Sequence, residues 1–394
     1  MADPARIFFR NASYDGQFAR TLAAALVDAA DLGEAWATAR RIGSLNGASW
    51  HDAWSRAAGI AHSAGDAALA AGRRVSARKA FLRASEYWRQ SYYFIRSDLD
   101  DPRLQAAYRG HVEAFLAAKD LMDHHVEHVR IPYEGTTIPG YLHTVDSTGA
   151  PRPTLLFPCG YDSTAEAGWL QVPAALERGY NTLVFEGPGQ GAALFTQRLF
   201  LRRDFEKVLT PVVDWLRTRA DVDAGRLALI GRSFAGYLAP RGAAFEHRIA
   251  ALVCDPAQPD MGARLPSGFA GKVAGPVVAA QTHFSPERAE FFGARMACHG
   301  LHSVEDYLAE LRRFNMLPEA SQISCPTLII ECENDFAGGS GPDLAAAMTA
   351  PAEVVHLTAE QGADGHCAGL GLEVWTETVY AWLDRTLAQA TAAR

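Results

Sequence analysis

A chain of 394 residues with 48% hydrophobic and 21% charged side chains has the composition of a soluble globular protein, large enough for one main core plus an appendage. Its 45 acidic residues outnumber 37 basic ones, and the net charge of −8 disfavours nucleic acid and anionic membranes as partners because no basic surplus can hold phosphates. No apolar run approaches the length of a membrane span, and Met1-Ala-Asp-Pro-Ala-Arg6 has no apolar leader core, so no membrane partner and a cytoplasmic location are expected.

Residues from about 15 to 125 read as helices without strands. The expected segments are 18–30, 33–41, 49–71, 75–96 and 103–122, the last opened by Asp101-Pro102. The segments 33–41 and 49–71 carry Trp36, Trp50 and Trp54, and Phe81, Tyr87, Trp88, Tyr92 and Phe94 fall near helical spacing, an aromatic stripe that reads as core packing before substrate contact.

At about residue 126 the period changes. Val126 to Tyr133 alternates as a strand, Glu134-Gly135-Thr-Thr turns, and Ile138 to His143 returns as a hairpin. Strands are then expected at 154–157, 181–185, 226–230, 249–255, 327–331 and 353–357, separated by helix-length segments such as 205–218. This alternation predicts an α/β fold with a mostly parallel sheet covered by helices on both faces. The expected organisation is a helical N-terminal module, 1–125, followed by a catalytic α/β domain, 126–394, interrupted by a helical insertion at 259–324.

The segment Arg226-Leu-Ala-Leu-Ile-Gly-Arg-Ser-Phe-Ala-Gly236 runs from an apolar strand into a Gly-x-Ser-x-small-Gly turn and on into a helix. A serine hydroxyl becomes a useful nucleophile when a sharp strand-to-helix turn exposes it beside a base. Ser233 is the expected nucleophile; a helix N-cap serine would also suit the position. In an open α/β sheet the partners should lie on loops beyond the carboxyl ends of strands. Asp335 follows the strand 327–331, and His366 sits in the glycine-bearing loop after the last strand. The order Ser, Asp, His fits an acid that orients a base, although Asp255, Glu333 and Asp364 are also placed to supply the acid. Backbone N–H groups of Phe234 and of Tyr161 or Gly160, with Tyr161 preferred, are the expected oxyanion donors.

Six scattered cysteines without a Cys-x-x-Cys pair read as free thiols. Cys367, next to His366, either lines the site or fills a small buried position. His124-His-Val-Glu127-His128 matches the H-x-x-E-H spacing of a zinc site, but it straddles a helix end and an alternating strand, so its ligands should not converge. Glu186-Gly-Pro-Gly-Gln-Gly191 is neither a dinucleotide fingerprint nor a Walker loop and reads as a tight turn after a strand. No metal and no cofactor are expected.

With these residues in place the chain resembles the α/β-hydrolase group that contains bacterial 2,6-dihydroxypseudooxynicotine hydrolase and the fungal hydrolases that shorten polyketide side chains. It is similar, more distantly, to fermentation–respiration-switch-type esterases. The matching stretches are Ile138-Pro-Gly-Tyr-Leu, Gly160-Tyr-Asp-Ser-Thr, Glu186-Gly-Pro-Gly-Gln-Gly, Gly231 to Arg241 and Gly365-His-Cys. Ala235 and Glu331 stand where many relatives have glycine.

The resemblance implies hydrolysis of a carbon–carbon bond in a β-dicarbonyl or aryl-ketone substrate, a polyketide or aromatic metabolite, through an acyl-enzyme on Ser233. It implies that the N-terminal helices cap the site and help form a homodimer. Within the matched stretches Gly160, Asp162 and Arg232 are the expected substrate contacts. The same triad could instead serve an esterase, thioesterase or peptidase, and a cyclase or lyase could use His366 as base without an acyl-enzyme.

Overall fold

The computed structural model describes residues 6–44, 46–266, 275, 277–278 and 280–392. By its internal contacts the chain divides into two units, one spanning 5–126 and 273–304 and the other built mainly on 127–272 and 305–394. The insertion expected at 259–324 is therefore shared between them. Residues 267–274, 276 and 279 of it lie outside the described residues, as do residues 1–5 at the start of the chain.

The first unit is helical: Ala12–Ala24, Leu32–Ala39, Gly47–Ala70, Arg74–Tyr92, Pro102–Lys119 and Pro286–His299. Most of these starts are set by side-chain caps. Asn11 accepts from the N–H groups of Ser13 and Tyr14, Asp31 from Glu34, Asn46 from Ser49 and Asp101 from Arg103. Trp50 and Trp54 are fully buried, and Tyr14 stacks on Phe94 with ring centroids 4.1 Å apart. These aromatics pack in the core of the unit. Helix Pro286–His299 joins the unit through Glu290, whose carboxylate accepts from the Ser97 N–H at 3.0 Å and the Ser97 hydroxyl at 2.6 Å.

The second unit is an eight-stranded sheet. Its strands are β1 (Val126–Tyr133), β2 (Thr136–His143), β3 (Arg152–Pro158), β4 (Asn181–Phe185), β5 (Val222–Arg232), β6 (Ala251–Asp255), β7 (Thr327–Cys332) and β8 (Ala352–Leu357), in the order β1-β2-β4-β3-β5-β6-β7-β8. Glu134 and Gly135, both at positive φ (39° and 80°), turn β1 into β2 as a two-residue hairpin. β2 runs antiparallel to β4, and every pairing from β4 to β8 is parallel. β4, β6 and β7 are buried along their whole length, which is why they read as continuous apolar runs. Helices Glu206–Arg217, Ala235–Ala243 and Leu372–Ala392 pack on the sheet.

The strand order fixes where chemistry can occur. From β3 the chain moves outward to β4, then crosses back to β5 on the other side of β3. The carboxyl ends of β3 and β5 therefore flank the switch point at which loops diverge to leave a crevice. The loop after β3 and the turn after β5 carry Tyr161 and Ser233. No described helix is long and apolar enough to cross a membrane.

Candidate active site

β5 ends at Arg232 and the next helix starts at Ala235, leaving two residues to reverse the chain. Ser233 takes a left-handed backbone conformation, φ 58°, which a non-glycine residue adopts only when its surroundings enforce it. The enforcement is visible. The Ser233 N–H donates to the Asp255 carbonyl at 2.7 Å, and Gln258 Nε2 donates to the Ser233 carbonyl at 2.6 Å. A Cβ on Gly236 would lie 1.9 Å from the Pro256 carbonyl oxygen, and one on Gly231 would lie 2.2 Å from the Ala235 carbonyl oxygen and 2.6 Å from the Ala239 methyl. Ala235 is itself fully buried, so the methyl it carries in place of glycine is accommodated. Gly231→Ala should therefore cost about 1–3 kcal/mol of stability by overpacking, read as a lowered urea midpoint; an unchanged midpoint would show that the turn has slack.

Ser233 Oγ and His366 Nε2 are 2.8 Å apart, and His366 Nδ1 is 2.8 Å from Asp335 Oδ1. The three side chains come from the turn after β5, the turn after β7 and the loop after β8, so the sheet itself brings them together. The Asp335 side chain is buried, with 0% of it exposed. Burial alone would raise its carboxyl, but the hydrogen bond and charge of His366, with N–H groups of Ala337 and Cys367, hold it below the usual carboxylate range. Its folded value lies below its unfolded one, so the stability it contributes is complete above the ordinary carboxylate range. That contribution is lost as the pH falls through the lowered value.

The alternative acids are committed elsewhere. Asp255 pairs with Arg232, Glu333 accepts from the Ala359 N–H at 2.8 Å, and Asp364 accepts from Asn334 Nδ2 at 2.8 Å. Asp335, His366 and Cys367 also bring ligand-type atoms within 4.8 Å of one another. Both imidazole nitrogens are already engaged, by Asp335 and Ser233, which makes this a hydrogen-bond relay. In the H-x-x-E-H stretch, Glu127 pairs with Arg219 and His128 stacks on Tyr141, on opposite sides of β1.

The loop after β3 lies against the elbow: a Cβ on Gly160 would be 3.4 Å from Ser233 Cβ and 3.5 Å from the Phe234 nitrogen. The Tyr161 ring rests on that of Phe234, centroids 3.9 Å apart. The Phe234 N–H, at the cap of the following helix, has no backbone acceptor among the described residues. This loop is braced by the Glu186–Gly191 turn. Glu186 accepts from Ala165 N–H at 2.8 Å and Ala192 N–H at 2.6 Å, and Gln190 donates to the Cys159 carbonyl. Burial, and then the charge of Glu166, push the Glu186 carboxyl well above its usual range. The stretch read as a tight turn is thus a brace for the expected oxyanion loop.

Of the expected substrate contacts, Gly160 and Asp162 lie on that loop, with Asp162 half-buried. Arg232 does not fit the expectation. Its guanidinium is spent inside the protein, donating from Nε to Asp255 at 2.9 Å and from Nη2 to the Cys367 carbonyl at 2.6 Å. Cys367 is half-buried with Sγ 3.6 Å from His366 Nε2; the other five thiols are buried, and none of the six is in a disulfide.

Sequence reasoning missed two further residues. Phe336, 71% exposed, lays its ring 4.5 Å from that of His366. Glu331, the departure from glycine, accepts from the N–H groups of Gly339 and Gly341 and so ties down the turn that carries Asp335. A cavity of about 600 Å³ beside this turn is lined by Asp335, Gly338 and His356, with neither Ser233 nor His366 on its wall.

Residues 154–377 match the family described as "Alpha/beta hydrolase family", and residues 31–258 match "Esterase FrsA-like". The chain is similar to hydrolase acrC of Aspergillus aculeatus, with 30% identity covering 96% of this chain and 97% of that protein. It is also similar to 20-hydroxy-prefusarin hydrolase FUS2 of Gibberella moniliformis, with 32% identity over 96% and 98%. Among solved structures it resembles 2,6-dihydroxy-pseudo-oxynicotine hydrolase, with a TM-score of 0.76 at 21% identity over 95% of this chain and 97% of that one. A family match over more than half its length, full-length relatives named as hydrolases and a mostly parallel sheet agree: the chain belongs to the α/β-hydrolase family.

Proposed function

We propose that the protein is a serine hydrolase that cleaves a carbon–carbon bond of a β-dicarbonyl or aryl-ketone metabolite through an acyl-enzyme on Ser233. The observation that carries the reading is the unbroken hydrogen-bond chain Ser233–His366–Asp335 at 2.8 Å per link, with Ser233 on a strained elbow. Ser233 Oγ adds to the substrate carbonyl as its proton passes to His366 Nε2, and Asp335 holds the imidazole so that Nδ1 carries a proton. The alkoxide that forms is stabilised by N–H groups of Phe234 and Tyr161. Its collapse breaks the adjacent C–C bond, and the electron pair leaves as an enolate or electron-rich aryl carbanion that takes the proton from His366. Water, deprotonated by His366, then attacks the Ser233 ester and releases a carboxylic acid.

The preference for a carbon leaving group rests on the sequence resemblance; the name of FUS2, a hydrolase of 20-hydroxy-prefusarin, supports a small-molecule metabolite as substrate. A triad alone does not select carbon over oxygen, because selectivity depends on how far the transition state is bound better than the substrate. The test is a comparison of kcat/KM on aryl β-diketones and on the aryl esters of the same acids. We expect diketone cleavage to give equimolar acid and ketone at a rate at least comparable with ester hydrolysis. Ester hydrolysis with no diketone cleavage would assign the triad to a plain esterase.

A further inference from the structure

We infer that Arg232 is a positioning residue that, paired with Asp255, locks the His366 loop to the nucleophile strand. The inference rests on the reading of Ser233, Asp335 and His366 as the triad. Arg232 directly precedes Ser233, and its β-sheet partner across the β5–β6 pairing is Asp255. Its side chain is 12% exposed and that of Asp255 is not exposed at all. The guanidinium has three engagements: Asp255 Oδ2 at 2.9 Å, the Cys367 carbonyl at 2.6 Å, and the face of Trp375, 4.4 Å from Cζ to the ring centroid. A planar fork can meet all three at once, which an ammonium cannot.

The contact to Cys367 matters because of the backbone there. Cys367 is left-handed, φ 52° and ψ 48°, a conformation that costs of order 1–3 kcal/mol for a side-chain-bearing residue and needs external support. Its N–H donates to Asp335 Oδ2 at 3.1 Å, its carbonyl accepts from Arg232, and its thiol donates to the Asp255 carbonyl at 3.3 Å. The residue after the base is thus held on its nitrogen, its carbonyl and its side chain, and Arg232 and Asp255 supply two of the three. The loop backbone that carries His366 cannot move away from Ser233 without breaking them.

The pair also sets the local charge. The charged and titratable groups facing Asp255 are Arg232 on β5, Cys254 on β6, Cys332 on β7, Asp335 beyond β7, and His366 and Cys367 on the loop after β8. Arg232 is the one permanent cation among them, and Asp255 Oδ1 is buried with no hydrogen-bond partner. Burial raises the Asp255 carboxyl and Arg232 lowers it; without Arg232, over the pH range in which Asp255 is still ionised, its uncompensated charge favours the protonated, inactive imidazole.

The experiment is the pH dependence of Ser233 labelling by an alkyl fluorophosphonate, with thermal melts, on full-length wild type, Arg232→Met, Arg232→Lys and the Arg232→Met/Asp255→Asn double variant. For Arg232→Met we expect labelling slowed about 100-fold, with its acid limb moved to higher pH. The double variant should recover the wild-type limb while remaining slow, and Arg232→Lys should be slow with the wild-type limb. If Arg232→Met does not fold, the lysine variant carries the test, and labelling at the wild-type rate there overturns the inference. An unmoved limb in Arg232→Met overturns it in favour of a purely structural arginine. A raised KM for p-nitrophenyl acetate with unchanged labelling overturns it in favour of a substrate contact. Failure of the wild type to label at Ser233 overturns the triad reading instead, so the two failures are distinguishable.

Discussion

Ser233→Ala should lower kcat by roughly 10⁶-fold, because the nucleophile and base act as a unit and removing one removes the chemistry of both. The geometry allows little substitution for the lost hydroxyl. Among the described residues the Cys367 thiol also lies near His366 Nε2, at 3.6 Å, and that thiol donates to the Asp255 carbonyl. The expected residue of activity is the modest acceleration that the oxyanion donors and binding supply without a covalent step. Turnover within tenfold of wild type would instead mean that His366 works as a simple base, as in a cyclase or lyase. Stability should change little, because the Ser233 N–H and carbonyl, which hold the elbow, are untouched by the substitution.

Asp335→Asn should lower kcat roughly 10⁴-fold at neutral pH with the fold intact. The carboxylate accepts from His366 Nδ1 and from the N–H groups of Ala337 and Cys367. An amide keeps the shape, but with its nitrogen toward the ring it selects the wrong tautomer, leaving Nε2 protonated and unable to take the Ser233 proton. Steady-state kinetics on any accepted ester reads the loss. A fall of less than tenfold would indicate that another acid orients the imidazole. Asp255, at the end of β6, is one such rival, yet its one hydrogen-bonded side-chain oxygen faces Arg232.

Much of this site could be read from sequence because its signals are local. The apolar run 226–230 ahead of Gly231-Arg-Ser233 announces a strand that must turn sharply, and a sharp turn after a strand in a parallel sheet lies at its reactive edge. Asp335 and His366 were legible for the same reason, each following a strand that the apolar pattern marks plainly. What stayed hidden depends on which strands become neighbours. Arg232 is expected as a substrate contact within the stretches that carry the resemblance, and only the pairing of β5 with β6 sets it opposite Asp255. Glu331 looked like a departure from a glycine position until its carboxylate was seen to accept two N–H groups from the turn eight and ten residues later. The grouping of helix Pro286–His299 with the first unit rests on Glu290 and Ser97, 193 residues apart, a distance no periodicity can bridge.

A covalent acyl intermediate on Ser233 would be seen by intact-mass spectrometry of the protein quenched during turnover of an aryl β-diketone. The expected result is a transient mass increase equal to the acyl fragment, mapped to the peptide containing Ser233, absent from Ser233→Ala, and decaying as carboxylic acid and shortened ketone appear. Turnover of the diketone with no adduct at any time, and with Ser233→Ala as fast as wild type, would contradict it.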